Sequence, residues 1–256
     1  MLHTIRHGSP TAKPPLLIAH GLFGSARNWG VIARRLSDTR EVVAVDMRNH
    51  GGSFWADSHT YPDLAADLAQ VLGSLATPAD VLGHSMGGKA AMMLALTRPD
   101  LVRRLVVADI APVAYAHSQQ PQIDAMRRVD LATVASRSDA EAQMQAENPG
   151  IAAFLLQSLD LSESRWKLNL DVLEREMPQI TGWPPVTGSF PRATLFLTGA
   201  DSHYVRPEHR DTIRTLFPRA RFARIPDCGH WLHAEKPREF EATVRAFLDA
   251  PDPEAP

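Results

Sequence analysis

At 256 residues, 44% apolar and 22% charged, the chain suits one large globular domain with a substantial core. Its net charge of −2 offers no generic attraction to nucleic acid or to an anionic membrane. One cysteine, Cys228, excludes an intrachain disulfide framework and suits a reducing compartment such as the cytoplasm, and no secretory h-region or bilayer-length apolar run is visible.

From Leu16 onward, short apolar runs alternate with helical patterns, which predicts a mostly parallel sheet covered on both faces. The first run, Leu16-Leu17-Ile18-Ala19, leads into His20-Gly21-Leu22-Phe23-Gly24-Ser25 and a helix over 27–37. The second, Val42-Val43-Ala44-Val45, leads into Asp46-Met47-Arg48-Asn49-His50-Gly51-Gly52-Ser53 and a helix over 61–75. The Asp and Arg of that segment suit loop-locking better than chemistry. The third run, Asp80-Val81-Leu82, passes directly into Gly83-His84-Ser85-Met86-Gly87 and a helix over 86–97. A serine flanked by glycines at a strand-to-helix junction reads as a nucleophile elbow, a strained turn that lifts the hydroxyl above the sheet. Without that setting, the same letters describe only a glycine-rich turn. The fourth run, Leu105-Val106-Val107-Ala108, ends at Asp109.

The alternation then breaks. Between Pro112 and Pro191 no strand is predicted, only helical stretches such as Asp139–Glu147 and Ser162–Glu176. Residues 112–190 are expected to form a helical cap inserted after the strand that ends near Asp109. Residues 1–111 and 191–256 would form the core, since a structureless loop of that length is improbable. Within the cap, Phe154, Leu155, Leu156, Leu159 and Trp166 could line an acyl pocket or simply form helix core. Arg127, Arg128, Arg165, Lys167 and Arg175 could meet an anionic substrate or form a solvated face. The alternation resumes with Thr194-Leu195-Phe196-Leu197, a helix over 207–217, Phe222-Ala223-Arg224-Ile225 and a helix over 237–249. Pro207 and Pro237 fit first helical turns. The proline-rich tail from Asp249 to Pro256 has no face to dock and is expected to fray.

A serine hydroxyl needs a base to become a nucleophile. His230, in Ile225-Pro226-Asp227-Cys228-Gly229-His230-Trp231, follows the last strand and so falls at the same sheet edge as Ser85. His233 is its rival, closer to the last helix. No cysteine or carboxylate cluster with ligand spacing joins them, so no metal site is expected. Acyl transfer also needs donors aimed at the developing oxyanion, and the backbone N–H groups of Leu22 and Met86 are placed to supply them. Phe23, His84 and Trp231 flank these groups and are candidates for contact with substrate.

The H-G-L-F-G-S loop, the D-x-R-N-H-G-x-S segment, G-H-S-M-G-G and the late G-H-W together resemble the α/β-hydrolase superfamily. The runs Val106–Val113 and Gly199–Val205 are similar to those of small bacterial serine esterases of the YbfF type. The resemblance implies an α/β-hydrolase fold and hydrolysis of small-molecule carboxylic esters, with thioesters a further option and no cofactor. It leaves open a carbon–carbon hydrolase or lyase on the same residues, and a slow-turnover receptor that keeps the fold. Many relatives place the acid that orients the histidine three residues past the glycine of the strand before it. Counted from Gly199, that position is Ser202, with Asp201 one residue short. Asp109, in a V-x-D-I-x-P-V segment resembling those esterases, is the preferred acid and Asp201 the runner-up. The segment Met1–Lys13 is short for the antiparallel pair that opens many relatives, so a trimmed edge is expected.

Overall fold

The computed structural model describes residues 1–75, 78–146 and 148–251. In chain order, the first half comprises β1 (Thr4–His7), β2 (Leu16–Ala19), α1 (Gly30–Leu36), β3 (Val42–Val45), α2 (Tyr61–Gly73), β4 (Ala79–His84), α3 (Met86–Thr97) and β5 (Val102–Ala108). An inserted stretch follows with α4 (Gln120–Arg127), α5 (Arg137–Met144), α6 (Pro149–Leu155), β6 (Leu159–Asp160), β7 (Arg165–Trp166), α7 (Leu170–Arg175) and α8 (Met177–Thr181). The chain closes with β8 (Thr194–Gly199), α9 (Arg210–Leu216), β9 (Ala220–Ile225), α10 (Leu232–Glu235) and α11 (Pro237–Asp249). Seven strands form one sheet in the order β1-β3-β2-β4-β5-β8-β9, parallel throughout except for β1, which pairs antiparallel with β3. This is an α/β-hydrolase fold, and β1 is its edge strand on the β3 side.

The central strands are apolar on both faces because each face carries its own core. In β2, Leu17 and Ala19 join one cluster with α2 and α3, while Leu16 and Ile18 join another with α1 and α11. In β3, Val43 and Val45 face the first, and Val42 and Ala44 face the second. This period-two division is what makes the strands continuous apolar runs in sequence. Burial of each large aliphatic side chain is worth about 1.5–3 kcal/mol, so the two clusters lock the register that places the loops.

Several predicted elements need correction. The stretch from Ser162 to Glu176 is not one helix, and the insert is not free of strands: β6 and β7 pair antiparallel there. The Asp160 carboxylate accepts from the Ser162 N–H at 3.1 Å, the Ser162 hydroxyl at 2.6 Å and the Glu163 N–H at 3.3 Å, and Ser164 sits at φ 46°. Side-chain capture of those amides favours a turn over a helix, and helical structure resumes only at Leu170. The helices expected at 27 and 207 each open with a 3₁₀ turn, Ala26–Trp29 and Pro207–His209. The helix expected over Asp139–Glu147 spans Arg137–Met144, and Glu147 lies outside the described residues, as does the tail beyond Pro251.

The insert is tied to the rest of the chain near the carboxyl edge of the sheet. The Tyr61 hydroxyl donates to the Ile180 carbonyl at 2.5 Å, and Gly51 N–H donates to the Lys167 carbonyl at 2.8 Å. Its apolar residues, among them Ile123, Met126, Leu155 and Leu173, belong to the same cluster as α2 and α3.

Candidate active site

Strand pairing brings the key residues together before any side chain is considered. His84, the last residue of β4, is paired with Ala108, the last of β5, so Ser85 and Asp109 leave neighbouring strands side by side. Ala19 is paired with Gly83, which puts the His20–Ser25 loop on the other flank of Ser85. Ser85 itself is held at φ 52°, and its N–H donates to the Ala108 carbonyl at 3.0 Å. Glycine is required on both sides of this turn: a Cβ on Gly83 would stand 2.2 Å from the Gly87 carbonyl oxygen, and one on Gly87 2.4 Å from that of Ala19.

The side chains form a continuous line. Ser85 Oγ lies 3.1 Å from His230 Nε2, and His230 Nδ1 lies 2.7 Å from Asp109 Oδ2. Asp109 is wholly buried, at φ 52°, and accepts from the Gly199 N–H at 3.3 Å and from the Ser202 hydroxyl. Ser202, at the position where many relatives carry the acid, thus donates to the carboxylate that meets His230. Asp201 is exposed, its N–H is taken by the Cys228 carbonyl at 3.0 Å, and no hydrogen bond joins it to His230 among the described residues. Tyr204 stacks on the His230 ring at 4.0 Å between centroids and 19° between planes, and His84 Nε2 donates to the His230 carbonyl at 2.9 Å. His233 lies beside the site but makes no hydrogen bond to Ser85 among the described residues; it is buried against Trp29, stacked at 4.2 Å and 8°.

The candidate oxyanion donors are free. Among the described residues, neither the Leu22 nor the Met86 N–H donates to a protein acceptor, whereas the neighbouring Gly24 N–H donates to the Gly21 carbonyl at 3.0 Å. The Asp46 and Arg48 side chains lock loops, as read from the sequence. Asp46 accepts from the Ala26 N–H at 2.7 Å and the Gly52 N–H at 2.8 Å, while Arg48 Nε pairs with Asp67 at 2.6 Å.

A cavity of about 310 Å³ opens onto Ser85. Phe23, His84 and Trp231 line it, and from the insert Phe154 and Leu155 do so. Leu156, Leu159 and Trp166 do not; they belong to the apolar cluster, with the Trp166 indole N–H donating to the Met126 carbonyl at 3.1 Å. The basic residues considered for anion binding are also elsewhere. Arg127 pairs with Asp171 and Glu174, Arg165 with Glu163 and Lys167 with Asp160, while Arg128 and Arg175 donate to the Met144 and Asp57 carbonyls. Arg127, Arg165 and Lys167 are thus neutralised by carboxylates close by, and none of the five basic residues lines the cavity.

The wall residues Tyr115, Tyr204 and Lys89 were not singled out from sequence. The Lys89 ammonium, one helical turn after Ser85, donates to the Thr181 carbonyl at 3.0 Å and the Gly182 carbonyl at 2.5 Å, tying α3 to the end of α8. Burial lowers it to about 7, and its nearest rings are Tyr115 at 4.8 Å and Tyr61 at 5.5 Å. A lysine in an otherwise apolar helix beginning at Met86 was the available signal. Among the described residues no group of three or more His, Cys, Asp or Glu is placed to hold a metal ion.

Five histidines around the site are buried: His20, His50, His59, His84 and His233. Burial lowers the basicity of all five, bringing His59 and His233 to about 3. The unfolded chain protonates each near the ordinary value of about 6.5, so below that pH it binds more protons than the native state. The stability these residues carry is present above about pH 6.5 and is lost as pH falls toward the folded values. Each is worth at most about 1.4 kcal/mol per pH unit in that window, and 1 kcal/mol shifts Tm by about 2–4 °C in a domain this size. Tm is therefore expected to fall by more than about 5 °C between about pH 7 and pH 5. A melting temperature level across that interval would contradict the neutral assignment.

Together the groups place a hydroxyl within hydrogen-bond reach of an imidazole, that imidazole on a buried carboxylate, and two N–H donors without a protein acceptor beside a cavity, an arrangement capable of acyl transfer. Comparison with known proteins gives the family and its relatives. A model of the alpha/beta hydrolase family matches residues 16–243. The sn-1-specific diacylglycerol lipase ABHD11 of Mus musculus is 39% identical over 92% of this chain and 81% of its own. Esterase YbfF of Escherichia coli is 37% identical over 92% of this chain and 93% of its own. Among solved structures, a marine microorganism esterase superposes with a TM-score of 0.91 at 34% identity, covering 96% of this chain and 98% of its own.

Proposed function

The chain belongs to the alpha/beta hydrolase family and is a carboxylesterase-type hydrolase, and from that premise we propose that it cleaves esters through an acyl-enzyme on Ser85. His230 Nε2 takes the Ser85 proton as the oxygen attacks the acyl carbon, and then delivers it to the departing alcohol. Asp109 keeps the His230 proton on Nδ1 and stabilises the imidazolium that forms. The N–H groups of Leu22 and Met86 hold the oxyanion. Water activated by His230 then attacks the acyl carbon and releases the acid. The observation that carries this reading is the hydrogen-bonded line from Ser85, on the cavity wall, through His230 to the buried Asp109.

Residues 112–190 act in this proposal as the cap, since Phe154 and Leu155 supply part of the acyl wall. The cavity, about 310 Å³, stands at the low end of the ~300–1,000 Å³ common for ligand pockets, which favours short to medium acyl groups. No helix among the described residues is long and apolar enough to cross a membrane, and the buried free Cys228 suits a reducing compartment such as the cytoplasm. A series of p-nitrophenyl esters and acyl-coenzyme A thioesters of graded chain length tests the reading. Turnover is expected to peak at short to medium esters. A kcat/KM that climbs steadily to long-chain lipids would overturn the acyl assignment, and no turnover of any ester would overturn the function.

A further inference from the structure

The D-x-R-N-H-G-x-S segment contributes one residue that the reaction above leaves unused. His50 is wholly buried, and its Nε2 accepts from the Phe23 N–H at 3.1 Å. Phe23 follows Leu22, the candidate oxyanion donor, and sits at φ 62°. A bulky residue at positive φ is strained and persists only where its surroundings hold it. Here both polar groups of its backbone are held by side chains. The carbonyl on the far side of Phe23 accepts from the Ser158 hydroxyl at 3.2 Å.

Both holding residues report to the insert. Ser158 lies within it, between α6 and β6. His50 is bridged to Leu168, flanked by Gly51 N–H donating to the Lys167 carbonyl at 2.8 Å and Asn169 N–H donating to the Asn49 carbonyl at 3.0 Å. The tautomer suits the task as well. His50 Nδ1 donates to the Arg48 carbonyl at 2.9 Å, which leaves a lone pair on Nε2. The His20 and His59 rings, centred 5.1 and 5.5 Å away, surround it, and together with burial they disfavour an imidazolium that would turn this acceptor into a second donor.

We propose that His50 and Ser158 are positioning residues that clamp the backbone of Phe23, so that the Leu22 N–H rather than the Phe23 N–H faces the reacting acyl oxygen. The insert thereby helps assemble the oxyanion hole, in addition to walling the cavity. This rests on the serine-esterase reading above. Without the clamp, Phe23 relaxes toward negative φ and swings the preceding peptide, and the donor array is no longer set before the oxyanion forms.

The test compares His50→Ala, His50→Gln and Ser158→Ala with the wild type. Each is assayed with p-nitrophenyl butyrate and titrated with a trifluoromethyl ketone, whose adduct with Ser85 carries the oxyanion. Loss of one whole oxyanion donor lowers kcat by about 10²–10³-fold, so a misdirected one sets a smaller ceiling. His50→Ala is expected to lose about 30-fold in kcat with KM within about threefold, and Ser158→Ala about threefold to tenfold. Ketone affinity should fall in proportion to kcat/KM, and His50→Gln, whose amide oxygen can accept the same bond, should recover part of both. Where His50→Ala folds poorly, Ser158→Ala removes a single hydroxyl and carries the test. Variants that lose Tm while their titrated active sites keep wild-type kcat and ketone affinity would overturn the clamp. A wild type that turns over no ester would overturn the esterase reading, and the clamp with it.

Discussion

Ser85→Ala is expected to abolish ester turnover while leaving the protein folded. In a serine hydrolase, loss of the nucleophile lowers kcat by about 10⁶-fold, because the base and oxyanion donors then have no attacking group to serve. Nothing comparable is lost from the fold. The Ser85 hydroxyl makes its hydrogen bond to His230, and the turn is maintained by the backbone: Ser85 N–H to the Ala108 carbonyl and Lys89 N–H to the Ser85 carbonyl, each at 3.0 Å. Alanine at φ 52° meets the same backbone strain as serine, so the change in stability should stay within about 1 kcal/mol. Turnover of p-nitrophenyl butyrate by the purified variant, beside its thermal melt, checks both halves. Wild-type turnover in a folded Ser85→Ala protein would falsify the acyl-enzyme mechanism.

The second large effect discriminates between two carboxylates. Asp109→Asn is expected to lower kcat by up to about 10⁴-fold, the loss seen when the acid of a serine-protease triad becomes its amide. The reason is the tautomer. An amide nitrogen facing His230 Nδ1 donates where the carboxylate accepted, which drives the ring proton to Nε2 and removes the lone pair that must take the Ser85 proton. The Gly199 N–H, which donates to Asp109 Oδ1, favours the amide oxygen at that position and so leaves the nitrogen facing His230, where the Ser202 hydroxyl can turn to accept. Asp201→Asn should change kcat less than about threefold, because that residue is exposed and makes no bond to His230. Both variants need a melting curve beside the kinetics. A larger loss in Asp201→Asn than in Asp109→Asn would reverse the assignment of the acid.

The elements that were legible in the sequence are those whose signal is local. Leu16–Ala19 and Val42–Val45 read as strands because apolar side chains must fill both faces of a covered sheet. The elbow read as such because Gly83 and Gly87 stand where a Cβ would strike neighbouring backbone. Helix α11 was legible to its ends, with a proline at its first position and a single apolar stripe. The insert was read less well. A run such as Ser162–Trp166 has no strong period of its own, and the Asp160 side chain decided its course by capturing the following amides.

By itself, then, the sequence determined the layered α/β class, the order of its motifs, and the candidacy of Ser85 and His230, each from residues adjacent in the chain. Only the tertiary structure decided which carboxylate meets His230, since that follows from β4 and β5 being paired so that His84 lies beside Ala108, a contact between distant segments. It alone also decided that Ser202 donates to Asp109, that Tyr204 stacks on His230, and that Lys89 binds the end of α8. The physical reason is common to all of these. Propensity and periodicity act over a few neighbouring residues, whereas register and burial are set by the packing of whole strands and helices, and they place side chains more than a hundred residues apart within one hydrogen bond.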